Sequence, residues 1–100
     1  MQASSPEEKP VMQDERVSTL LSEIHQRVLE LQEPGIFDWS NSTPDEWVTQ
    51  IMTELRVAAV NIVRWRKMRA ALVTVTATCI VAILKGEELF HEYVTNKNQN

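Results

Sequence analysis

The acids Glu23, Glu30 and Glu33, then Asp45, Glu46 and Glu54, are the positions from which this chain could grip a metal ion. Hard divalent cations take several oxygen ligands at once, so carboxylates from facing helices would have to converge. Glu54 stands apart from the others. It is the only acid between Trp47 and Lys85, and it adjoins an apolar face. The candidate metal set is Glu54 with Glu30 and Glu33. The plainer role for Glu54 is an ion pair with an arginine of its own or a second chain. A second cluster is basic: Arg64, Trp65, Arg66, Lys67 and Arg69. Its cations can hold phosphates, and the indole offers a face on which a base can stack. As plain surface, the same run is a solvated helix turn or one side of a charge pair between chains.

Other chemistries drop out. Two glycines, Gly35 and Gly86, cannot build a phosphate-cradling loop. His25 and His91 have no metal-ligand companion four residues on, which argues against zinc. Cys79 lies in an apolar run with nothing nearby to lower its pKa, and reads as an inert buried thiol. A single cysteine allows no intrachain disulfide, and the polar, acidic N-terminus holds no apolar signal core. Both features point to the cytoplasm. No motif for reading a nucleic-acid sequence is present. The net charge of −4 hides an asymmetry: residues 1–54 hold eleven acids and three bases, whereas residues 55–85 hold six bases and no acid. The two parts can neutralise each other, or the basic part can meet an anion.

The elements that must position these residues are helical. Residues 1–12, with Pro6 and Pro10, read as a disordered tail. A single domain follows over 13–94, and 95–100 is a polar tail. Gln13–Gln32 is amphipathic: Val17, Leu21, Ile24, Val28 and Leu31 recur at helical steps, with Leu20 alongside. Pro34-Gly35 ends that helix, and Phe37 and Trp39 are expected to fold back onto the core. From Asp45 to Lys85 there is neither Gly nor Pro. This block opens with a capping box, Thr43-Pro44-Asp45-Glu46, and closes at Lys85-Gly86, a cation followed by a favoured helix stop. One face is Trp47, Ile51, Leu55, Ala58, Ile62 and Trp65. A straight helix of that length would run about 62 Å, too long for so small a domain, so a bend near Arg64–Arg69 or a helix shared with a second chain is expected. A short helix over Glu87–Val94 should face Leu89, Phe90, Tyr93 and Val94 inward.

Leu72–Val81 also alternates β-branched residues at period two, as a strand would. It has no second strand-like run to pair with, so helix is expected. Ala70–Leu84 is uncharged but covers only about 22 Å as a helix, short of a bilayer's roughly 30 Å core. Burial within a helical homodimer is expected instead, with Leu55, Ile62, Leu72, Ile80 and Leu84 in the dimer core.

One family fits several of these features together. Asp38-Trp39, then Thr43-Pro44 opening a helix, then Glu54 ten residues beyond the proline, resemble the MazG-like nucleoside triphosphate pyrophosphohydrolases. Gly86-Glu87-Glu88-Leu89 through Lys97 resembles their closing helix, so the likeness covers about Val17 to Lys97. The resemblance implies an all-α, oligomeric fold, here a bundle of three or four helices. It also implies Mg²⁺ held by paired acidic motifs on two successive helices. Glu54 matches the first acid. Val57 stands where the second would be, and Ala71 and Thr74 stand where the next helix would supply Glu and Asp. One carboxylate cannot hold Mg²⁺ and activate water. The expected function is therefore binding without turnover, of a nucleotide-like anion at the basic run or of a protein partner. The alternatives are a Mg²⁺-dependent pyrophosphohydrolase rearranged around Glu54, Glu30 and Glu33, or an unrelated helical interaction module.

Overall fold

The described residues form three α-helices: α1 (Ser4–Leu31), α2 (Pro44–Val60) and α3 (Trp65–Gln99). The computed structural model describes residues 4–99, and side chains from 14 to 92. No strand occurs among the described residues, and Leu72–Val81 is helical throughout. α3 packs against both other helices, while α1 and α2 do not touch each other among the described residues. The result is an open arrangement with α3 in the middle, 66 × 36 × 20 Å in extent.

Local chemistry explains where α2 begins. The Thr43 hydroxyl accepts from the Glu46 backbone N–H at 3.3 Å, and Glu46 accepts from the Thr43 N–H at 2.8 Å. Both halves of the capping box are made, with Pro44 in the first turn. The helix stops earlier than expected. Asn61 donates its side-chain amide to the Val57 carbonyl at 2.8 Å and its backbone N–H to Ala58 at 3.1 Å. That closes the last turn, and residues 61–64 form the break between α2 and α3. So the 45–85 block is two helices, and the break over 61–64 reaches Arg64, at the N-terminal edge of the stretch where a bend is expected.

Two further boundaries differ from expectation. Gly86 does not end a helix: α3 runs through it, and Gly35 is the one glycine with positive φ, at 91°, among the described residues. Glu87, Glu88 and Leu89 are good helix formers and no proline follows, so the backbone continues. Leu89 and Phe90 consequently lie exposed on α3 rather than turned inward, and the side chains of Tyr93 and Val94 lie outside the described residues. At the other end, α1 begins at Ser4, so residues 4–12 are helical backbone rather than tail. Pro6 falls in the first turn, where no N–H is needed. Residues 1–3 and 100 lie outside the described residues.

The core gathers Ile24 and Val28 of α1, Trp39 of the connecting loop, Trp47 of α2, and Ala77 and Val81 of α3. Phe37 and Trp39 do fold back: their rings meet edge-on at 4.6 Å, and the Trp39 indole N–H donates to the Leu31 carbonyl at 3.2 Å. Only the C-terminal half of the α1 stripe is covered, since Val17, Leu20 and Leu21 are exposed. On α2 the covered face runs through Trp47, Ile51, Glu54 and Ala58, and Leu55 lies half open to solvent. Within α3, Trp65–Glu92 is long and apolar enough to cross a membrane by length and composition, and 17% of its most apolar window is buried in the fold.

Candidate functional site

The residues singled out by chemistry do not gather in one place. Arg69 lies on the α1 side of α3 and clasps Glu23 through two hydrogen bonds, at 2.6 and 3.0 Å. The arginine's hydrogen bonds hold the Glu23 carboxyl below its ordinary pKa, with a smaller direct charge effect in the same direction. The same bonds raise the Arg69 pKa further. Trp65, one turn earlier, is 62% exposed. Arg64 sits in the break before α3, and Arg66 and Lys67 are exposed. Of the five basic-run residues, Trp65 and Arg69 line one cavity together.

That cavity is a groove of about 540 Å³ between α1 and α3. Arg16, Trp65 and Arg69 line it with polar and aromatic atoms, over an apolar floor that includes Leu20, Ile24 and Leu72. The volume falls in the range of small-molecule sites. A flat apolar ring could lie between Trp65 and the floor, with its anionic group towards the guanidiniums. Arg16 was not foreseen as a partner for this cluster. Its signal was local: it stands four residues before Leu20 and eight before Ile24, at the N-terminal end of the same helical stripe.

The candidate metal acids are not brought together. Glu54 faces α3, where it accepts from the hydroxyl of the fully buried Thr78 through one carboxylate oxygen and from Gln50 at 3.0 Å through the other. Thr78 also reaches the Thr74 carbonyl at 2.8 Å, so its single proton serves one acceptor or the other. Glu30 pairs with Arg27 at 3.0 Å on α1, and Glu33 is exposed in the turn that follows. Because α1 and α2 flank α3 without touching, Glu30 and Glu33 cannot close around Glu54. Among the described residues, no group of three His, Cys, Asp or Glu side chains could hold a metal ion. Within the chain, Glu54 accepts from these two uncharged donors and makes no ion pair with an arginine among the described residues.

The expected dimer-core residues also separate. Ile80 packs against the chain's own core, and Leu72 lines the α1–α3 groove. Leu55 and Ile62 are exposed at 50% and 69%, and Leu84 is exposed on α3. Helical spacing alone had merged positions that the packing distributes over different surfaces. No family model matches this chain, and no curated protein or solved structure matches it either.

Proposed function

We propose that this chain is a MazG-like helical protein of the cytoplasm that binds a nucleotide-like anion in the α1–α3 groove and does not hydrolyse it. The observation that carries the reading is the groove itself: an exposed indole and two guanidiniums over an apolar floor. Trp65 stacks on the ring of the ligand. Arg16, which makes no ion pair among the described residues, takes the anionic group. Arg69 is held in place by Glu23 and adds a fixed positive edge to the groove. Turnover would require several carboxylates around one Mg²⁺, and among the described residues no three acids converge.

Titration of tryptophan fluorescence with nucleoside mono-, di- and triphosphates tests this reading. A saturable change should appear with at least one nucleotide, and Arg16→Glu should weaken it tenfold or more. Trp65→Phe keeps a ring and, read by melting temperature because the reporting indole is gone, should retain binding better than Trp65→Ala. Unchanged fluorescence and unchanged melting temperature with every nucleotide would reject the proposal.

A further inference from the structure

The corner between α2 and α3 carries the basic residues that the groove leaves unused. Val60, Ile62 and Val63 stand out into solvent there, 72%, 69% and 88% exposed. Arg64, Arg66 and Lys67 follow at once and are exposed too, and Arg56 lies one turn before Val60. The corner is not a loose loop. Asn61 ties back to Val57 and Ala58, and the Arg64 N–H donates to the Asn61 carbonyl at 2.9 Å. A backbone held in this way presents its apolar side chains instead of folding them away. None of these residues lines the α1–α3 groove. We propose that this corner docks the chain on an anionic lipid bilayer. Val60, Ile62 and Val63 enter the acyl boundary, and the four cations rest among the headgroups. This inference goes beyond the anion reading and does not depend on it.

Charge complementarity and the mixture of side chains select a bilayer as the occupant. Residues 55–85 hold six bases and no acid. The two acids that reach α3 from the flanking helices, Glu54 and Glu23, accept from Thr78 and Arg69. A surface of anionic lipid attracts such a run of cations, each adding to the affinity within a Debye length. The chain as a whole is acidic, at −4, so an approach led by this corner is the one that the surface favours. Aliphatic side chains at the tip gain by leaving water, while arginine and lysine stems lie along the apolar layer with their heads among phosphates. A nucleic acid would use the cations, but its phosphate backbone offers nothing to three aliphatic side chains. Entry stops at the corner. The Glu23–Arg69 pair lies one turn beyond Trp65 and is half exposed, and it would be carried into hydrocarbon if α3 entered lengthwise.

Vesicle co-sedimentation of the full chain tests the inference, with circular dichroism to show that each variant is folded. The chain should sediment with vesicles of phosphatidylglycerol and phosphatidylcholine and stay in solution with phosphatidylcholine alone. Val63→Asp should lower the partition coefficient tenfold or more, and so should Arg64→Glu combined with Arg66→Glu. In a Cys79→Ser background, a polarity-sensitive dye on Val63→Cys should shift to the blue when anionic vesicles are added. The same dye on Gln26→Cys, at an exposed position of α1, should not. Absence of uptake by the anionic vesicles, equal uptake by the neutral ones, or undiminished uptake of Val63→Asp would each overturn the inference. So would a dye response at position 26 as large as that at 63. Vesicle-bound chain that withstands alkaline carbonate would overturn it by showing that α3 crosses the bilayer. Binding of a random single-stranded oligonucleotide, lost in the double charge reversal and unaccompanied by vesicle uptake, would overturn it by assigning the cations to nucleic acid.

Discussion

Glu23 and Arg69 tie α1 to α3 through a two-pronged, charge-assisted pair, and that pair makes stability depend on pH. The Glu23 pKa is lowered in the folded state, so its contribution is complete above the unfolded value and is lost as pH falls through the lowered one. The melting-temperature gap between wild type and Glu23→Gln should be largest near neutrality and should close below about pH 4.5, the group's ordinary value. A gap that stays constant down to pH 3 would contradict this. Thr78 offers a second test at the same scale. It is fully buried, and its hydroxyl is shared between Glu54 and the Thr74 carbonyl. Thr78→Val keeps the shape and removes the donor, so it should cost about 1 kcal/mol in a denaturant melt. The capping box at Thr43 was legible in the sequence because both of its partners lie within three residues. The partners of Glu54 and Arg69 were not, since Thr78 and Glu23 lie 24 and 46 residues away and come together only through packing.

Among the helices, the sequence marked where α2 starts and that all three elements are helical, but not where α2 ends or which face it turns inward. Two stripes one residue apart on α2 are both largely apolar, so helical spacing cannot choose between them. What decided it was the Thr78 hydroxyl donating to Glu54, together with Trp47 reaching the core. The end of α2 was signalled only by Asn61, whose amide returns to Val57. Gly86 shows the reverse error: a residue that often stops helices lies inside one. A Cβ built at Gly86 would meet the Trp47 ring at 4.0 Å, an ordinary contact. Gly86→Ala should therefore stabilise the fold by about 0.5–1 kcal/mol, visible as a rise of several degrees in melting temperature. A fall would mean that the Trp47 ring cannot tolerate the added methyl group.

For the molecule as a whole, the sequence announced an all-α chain, and the described residues are helical with no strand. Where the uncovered surface lies was not legible, because it depends on α1 and α2 flanking α3 without meeting. Ile80 and Leu55 illustrate the difference. Ile80 packs against the chain's own core, so Ile80→Asp buries an unpaired charge and should abolish the cooperative helical melt. Leu55 is half exposed, so Leu55→Asp should leave the helical circular dichroism and the cooperative melt intact. Leu55 does not line the α1–α3 groove, so ligand binding there should survive Leu55→Asp.

Binding without hydrolysis is tested most directly by phosphorus NMR of a nucleoside triphosphate incubated with the full chain and Mg²⁺. The triphosphate resonances should shift or broaden in proportion to protein while their summed intensity stays constant. Monophosphate and pyrophosphate signals growing at the triphosphate's expense would contradict the proposed lack of hydrolysis, and lines unmoved by excess protein would contradict the proposed binding.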